Sequence, residues 1–83
     1  MRRRSRLEII IQTLQIIEAG SSSPTRIMYA SNSSWNPTMK LLGFMVDSGY
    51  ILMVNGPPGR RFSITEKGQK VARYLVQAQK LIA

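Results

Sequence analysis

Apolar residues recur at helical spacing in the first stretch of the chain. Ser5 and Glu8, just before and inside this stretch, have the spacing of a capping box, in which each satisfies a backbone donor of the first helical turn. Gly20 ends the pattern. Ile9 and Ile16, seven residues apart, widen the apolar face and favour contact with a second surface. The core face of this helix is predicted to carry Leu7, Ile10, Ile11, Leu14 and Ile17.

The next stretch, residues 25–51, predicts two short helices joined by a tight polar turn and followed by a strand. Ser23 and Pro24 open the first of these helices as an N-cap and a first-turn proline. The second opens around residues 34–37 and ends at Gly49, which suits the left-handed conformation that follows a helix. Its core face is expected to carry Leu42, Met45 and Val46. This pattern is typical of a helix-turn-helix.

Strand-like patterns then predict a β-hairpin. Residues 51–54 form the first strand and residues 60–65 the second, in which Phe62 and Ile64 alternate with polar residues. Between them, residues 55–59 contain only asparagine, glycine and proline, which favour a turn.

A last helix begins at Thr65, an N-cap residue, with Glu66 favourably placed at its positive end. Its apolar residues fall at the spacing of a coiled-coil seam flanked by Tyr74 and Leu81. The seam consists of Val71, Leu75, Ala78 and Ile82. The full order is therefore three helices, a hairpin and a helix.

That order predicts a mostly helical α+β fold, a winged helix-turn-helix with three helices, a β-hairpin wing and a C-terminal dimerisation helix. Residues 1–5 are predicted to be a basic arm, residues 6–64 the winged-helix domain, and residues 65–83 the dimerisation helix.

Three blocks of the sequence also resemble a known family, the archaeal ArnR-like winged helix-turn-helix regulators. These blocks are residues 26–29, residues 42–51 and residues 65–68, and the resemblance covers nearly the whole chain after residue 5. The chain departs from the pattern at Ser33, where an apolar residue is usual, and at Pro37 and Thr38. It is similar as well to small archaeal dimeric chromatin proteins, whose last helix forms an antiparallel coiled coil. The resemblance implies DNA binding without catalysis.

Composition narrows the function further. The 83 residues carry twelve Lys and Arg against four Asp and Glu, a net charge of +8, which favours a polyanionic partner over a role in solubility alone. There is no cysteine or histidine for thiolate, zinc or nucleophilic chemistry, and the four carboxylates form no pair suited to acid–base work. We expect no enzyme activity, cofactor, metal or evident small-molecule ligand. Neither a membrane span nor a secretory signal is indicated, and a cytoplasmic, nucleoid-associated location is expected.

The second helix of the motif is the candidate reading element, because such a helix fits the major groove of DNA. Its face opposite the core carries Asn36, Lys40 and Gly43, with Ser34 at its start and Met39 at its border. Asparagine suits an adenine edge, lysine a guanine edge or a phosphate, and methionine a thymine methyl, while Gly43 allows the backbone a close approach.

Trp35 has two interpretations. It either packs on the first motif helix, which we favour, or lies exposed against sugar and phosphate.

Basic residues outside this helix complete the predicted DNA-binding set. Arg60 and Arg61, beside a stiff hairpin tip, are predicted to grip the DNA backbone or a minor groove, although charge on an edge strand also prevents aggregation. Arg26 is expected to reach a flanking phosphate. The arm is expected to add affinity for DNA of any sequence, through phosphate contacts of Arg2, Arg3 and Arg4.

The last helix either closes the monomer core or forms a homodimer, and we favour the dimer because its end extends beyond a small core. The predicted interface comprises Ile9, Ile16, Val71, Tyr74, Leu75, Ala78, Leu81 and Ile82. The leading hypothesis is thus a dimeric winged-helix protein that binds double-stranded DNA as a transcriptional regulator or chromatin-associated protein. The alternative is a winged-helix module that binds an acidic protein partner.

Overall fold

The computed structural model describes residues 6–20, 22–57 and 59–82. Ser5 of the expected capping box, the three arm arginines and part of the hairpin tip lie outside these residues. The elements are α1 (Arg6–Glu18), α2 (Pro24–Ala30), α3 (Trp35–Asp47), β1 (Ile51–Val54), β2 (Arg61–Ile64) and α4 (Glu66–Ile82). This order confirms the predicted winged-helix arrangement and its mostly helical α+β class.

Helix ends lie where the capping residues predict them. The Ser23 hydroxyl accepts a hydrogen bond from the backbone N–H of Arg26 at 3.2 Å, and the Thr65 hydroxyl accepts one from Gly68 at 3.0 Å. Gly49, which follows α3, has a φ of 81°. The turn between α2 and α3 contains Asn32 at a φ of 54°, a left-handed conformation that asparagine tolerates. Local sequence chemistry therefore sets the lengths of α2 and α3.

The wing is an antiparallel pair in which Met53 lies opposite Phe62 and Val54 opposite Arg61. The second strand begins at Arg61, so the expected start at Arg60 is wrong by one residue. Ser22 forms an isolated bridge with Phe62 on the other edge of β2, through two backbone hydrogen bonds of 2.8 and 3.1 Å. This bridge was not predicted, since a serine-rich loop has no strand pattern, and it joins the segment before α2 to the wing.

An apolar cluster holds α1, the motif helices, the wing and α4 together. Its fully or nearly buried members are Leu14, Ile17, Ile27, Leu42, Met45, Ile51, Phe62 and Ala72. Burial of such side chains is the main stabilising contribution to a small domain. The wing and the two motif helices are therefore fixed to one core.

On α4, the core-facing line differs from the predicted seam. The buried residues are Gly68 and Ala72, whereas Val71 and Leu75 are only half-buried. The prediction followed the larger apolar residues, but Gly68 lies against the backbone of Tyr50, just before β1, where a side chain would not fit. A methyl group at Gly68 would overlap the carbonyl oxygen of Tyr50.

No helix in the described part of the chain combines the length and apolarity needed to cross a membrane.

Candidate nucleic-acid interface

The exposed face of α3 carries the predicted reading residues. Leu42 and Met45 are buried and Val46 packs half-buried against the core, as expected. A further buried residue, Thr38, was not predicted. On the other side of the helix, the exposed residues include Asn36, Lys40, Gly43 and Asp47, and Met39 is half-buried at the border. Because these exposed residues recur every three or four positions, they form one continuous stripe along the helix.

The start of α3 is also exposed. Ser34, the N-cap, has extended backbone (φ −98°, ψ 169°) and makes no capping hydrogen bond with its side chain. The first turn contains no acidic residue. A helix N-terminus presents backbone N–H donors and a partial positive charge, so the first turn of α3 is electrostatically complementary to an anionic partner.

Trp35 is 48% exposed, which makes the favoured expectation of a packed tryptophan wrong. Its spacing of three from Thr38 continues the buried line of α3. However, it is the first residue of the helix and lies one turn before the core begins. Tyr29 on α2, which the sequence analysis did not single out, is 74% exposed. Two aromatic side chains thus lie at the surface on either side of the motif turn.

Gly43 has open space around it. A Cβ built on this residue has no atom within 4 Å among its non-local neighbours. No contact inside the described chain therefore requires glycine here, although a mid-helix glycine costs about 1 kcal/mol relative to alanine.

The basic residues of the wing are exposed. Arg60 precedes β2 and Arg61 begins it. Cross-strand partners share a face, so Arg61 lies with Val54 on the side of the hairpin away from buried Phe62. Arg26 is likewise exposed, in the first turn of α2. The predicted positions Arg2, Arg3 and Arg4 lie outside the described residues.

A row of cations and aromatic rings, which the sequence analysis missed, joins α1, α3 and α4. The Arg6 guanidinium lies 5.4 Å from the centre of the Phe44 ring, which meets the Tyr50 ring edge-on at 6.3 Å. The Lys67 ammonium lies 5.4 Å from the Tyr50 ring centre and donates to the Ser48 carbonyl at 2.8 Å. The contact with Phe44 holds Arg6, the first residue after the predicted arm, against α3.

The predicted dimer residues fall into two groups. At the end of α4, Tyr74, Leu81 and Ile82 are 77%, 88% and 80% exposed. The half-buried group is Ile9, Ile16, Val71, Leu75 and Ala78. On α1, Ile9 lines a cavity facing α3, whereas the groove between α1 and α4 is lined by Gln15 and Glu18. The structure therefore does not bring Ile9 together with the end of α4.

Two helices at a turn, with an exposed stripe on the second and a hairpin carrying arginines beside it, define a winged helix-turn-helix protein. The chain belongs to the winged helix-turn-helix family, which it matches over residues 3–83.

Two archaeal relatives come from Methanocaldococcus jannaschii and are both uncharacterized. The protein MJ0287 is 36% identical over 69 residues, covering 83% of this chain and 67% of the relative. The protein MJ0290 is 25% identical over 80 residues, covering 96% of this chain and 36% of the relative. The chain thus spans about two thirds of the first relative and about one third of the second. The expected resemblance to archaeal winged helix-turn-helix proteins is confirmed.

Solved structures share the fold at low sequence identity. Sso10a-2, a DNA-binding protein from Sulfolobus solfataricus, has a TM-score of 0.85 at 22% identity, covering 94% of this chain and 81% of that one. A winged-helix DNA-binding protein from STIV has a TM-score of 0.78 at 18% identity, covering 98% and 96%. The MarR family transcriptional regulator SPO1453 from Silicibacter pomeroyi has a TM-score of 0.72 at 17% identity, covering 92% and 55%.

Proposed function

We propose that this protein binds double-stranded DNA as a homodimer and acts as a transcriptional regulator or chromatin-associated protein in the cytoplasm. In this proposal α3 enters the major groove, with Asn36 and Lys40 towards the base edges. Arg60 and Arg61 of the wing hold the adjacent backbone, while Arg26 and the basic arm add further phosphate contacts.

The observation that carries the proposal is the exposed stripe of α3. It combines a base-reading amide, a cation and Gly43, a glycine that nothing within the described chain requires. A glycine that lowers helix stability is explained if another molecule approaches the helix backbone closely there. The net charge of +8 supports a polyanion as that molecule.

The exposed end of α4 supports the dimer. Tyr74, Leu81 and Ile82 present apolar surface on one side of a helix that extends past the core. Burial of this surface against a second copy would remove it from water. Dimerisation would also place two reading helices on a palindromic site.

The test is fluorescence anisotropy of a labelled mixed-sequence duplex, titrated with the full chain across a salt series. The logarithm of the binding constant is expected to fall linearly with the logarithm of salt concentration, as phosphate neutralisation requires. Lys40→Gln should weaken binding by about tenfold. The matched control is Lys70→Gln, which removes the same charge from α4, where Lys70 pairs with Glu66 at 3.5 Å.

Equal effects of the two substitutions would count against α3 as the reading element. Absence of binding even at low salt would contradict DNA binding altogether. The alternative of an acidic protein partner would then be preferred, with the exposed Trp35 and Tyr29 as its first contact surface.

A further inference from the structure

A cavity of about 360 Å³ lies between α1 and α3, with α2 and the motif turn forming its third wall. Ile9 and Thr13 line it from α1, Ile27 from α2, and Leu41 and Leu42 from α3. Its volume is within the range of small-molecule sites in proteins. Periodicity alone does not indicate this cavity, because Ile9 lies beside the core-facing line of α1.

Four hydroxyl groups lie in the wall, and those of Thr13, Ser31 and Thr38 are turned towards their own helices. Thr13 donates to the Ile9 carbonyl at 2.8 Å, Ser31 to the Ile27 carbonyl at 2.8 Å, and Thr38 to the Ser34 carbonyl at 2.7 Å. A hydroxyl has a single donor hydrogen, so these three donors are already used. The wall therefore presents mainly apolar surface to an occupant.

Two cations complete the lining, Arg6 from α1 and Lys40 from α3. No aspartate or glutamate is among the described residues that line the cavity. Arg6 is positioned by its contact with the Phe44 ring, which holds the guanidinium beside α3. An apolar chamber whose described lining carries two cations and no acidic side chain is complementary to a molecule with an apolar body and an anionic group.

We propose that this cavity binds a small amphipathic organic anion, such as a medium-chain carboxylate. The hydrocarbon chain lies among Ile9, Ile27 and Leu41, and the carboxylate pairs with Arg6 and Lys40. Because Lys40 also lies on the exposed stripe of α3, the bound anion neutralises a cation that the DNA would use. The expected effect on DNA binding rests on the proposed function, whereas the binding site itself does not.

The test of the site uses three probes that share one hydrocarbon chain: octanoate, octanol and octylammonium. Each is titrated into the full chain without DNA and followed by two-dimensional NMR. Octanoate is expected to give saturable shifts centred on Ile9, Ile27 and Leu41, with an affinity about fivefold or more above that of octanol. Octylammonium should bind more weakly than octanol. Equal binding of all three probes, or shifts centred on other surfaces, would overturn the proposal.

Variants separate the cations from the apolar chamber. Arg6→Gln combined with Lys40→Gln should reduce octanoate affinity to that of octanol while leaving octanol binding unchanged. Lys70→Gln, a loss of charge outside the cavity, should change neither. Ile9→Trp should fill the chamber and abolish binding of both probes. An unchanged circular dichroism spectrum and a cooperative melting transition are the controls that this variant is folded. Retained octanoate preference in the double variant would show that these cations do not form the site.

The link to DNA is tested separately by anisotropy at fixed ionic strength. Saturating octanoate should weaken duplex binding several-fold in the unmodified chain and have no effect on Ile9→Trp. An effect on both proteins would reject the coupling. If the unmodified chain binds no DNA at all, the NMR titration still decides whether the anion site exists.

Discussion

At the scale of single residues, two glycines in helices have opposite surroundings. Gly43 on α3 has open space where a side chain would project, whereas a methyl at Gly68 on α4 would overlap the Tyr50 carbonyl oxygen. The first glycine is therefore unexplained by packing within the described chain, and the second is required by it. Substitution by alanine distinguishes the two roles.

Gly43→Ala is expected to stabilise the free protein by about 0.5–1 kcal/mol, because alanine has the higher helix propensity. The same change should weaken DNA binding by about 1 kcal/mol, roughly fivefold, because the methyl group holds the duplex away from the helix. Chemical denaturation and duplex anisotropy measure the two effects. Gln77→Ala, at an exposed position of α4, is the control and should leave DNA affinity unchanged. If the variant is more stable and keeps full affinity for the duplex, the DNA does not approach α3 closely at Gly43.

Gly68→Ala is expected to destabilise the protein by about 1–3 kcal/mol, since an added methyl must displace either α4 or the backbone at Tyr50. The fall would be visible as a lower midpoint in urea or thermal unfolding. Unchanged stability would mean that α4 does not lie this close to the start of β1.

At the scale of elements, the sequence predicted most of the fold because short-range chemistry determines it. Ser23, Gly49 and Thr65 each act locally, and the structure has them where the pattern placed them. The bridge between Ser22 and Phe62 could not be predicted in this way, because forty residues separate the two partners and the serine carries no strand signal.

The same limit applies to the candidate sites. The exposed stripe of α3 follows from helical periodicity, so Asn36 and Lys40 could be placed on it in advance. The exposure of Trp35 depends on where the core ends, and the cavity beside Ile9 depends on the separation of two helices. Periodicity predicts which face of a helix is buried, but it contains no information about how far away the neighbouring element lies.

The end of α4 provides a test at this scale. Leu81→Glu is expected to shift the protein from dimer to monomer, because burying an unpaired carboxylate against a second copy has a large desolvation cost. Analytical ultracentrifugation over a concentration series measures the change. The matched control is Gln77→Glu, which adds the same charge at an exposed polar position of the same helix. The fold should persist in both variants, since Leu81 is 88% exposed. A parent chain that is monomeric at all concentrations would contradict the proposed dimer.

At the scale of the whole molecule, the charge balance acts on folding and on binding in opposite directions. Twelve basic and four acidic residues in a chain of 83 give a net charge of +8, and the excess positive charges repel one another in the compact state and oppose folding. In the proposed function, a bound DNA duplex would relieve this repulsion by supplying the counter-charge. Salt relieves it as well, while competing with the duplex for the same cations.

Raising sodium chloride from about 0.1 M to about 1 M shortens the screening length from about 10 Å to about 3 Å. The melting temperature of the free protein is therefore expected to rise by a few degrees, while its affinity for the duplex falls steeply. Replacement of Arg2, Arg3 and Arg4 by glutamine should reduce both the rise in melting temperature and the loss of affinity. The slope of log binding constant against log salt concentration should become shallower by up to about three, one for each phosphate that the arm no longer neutralises. Scanning calorimetry measures the melting temperature, and anisotropy measures the affinity for the duplex. An unchanged slope would show that the arm does not bind the phosphates, and the affinity would then come from α3 and the wing.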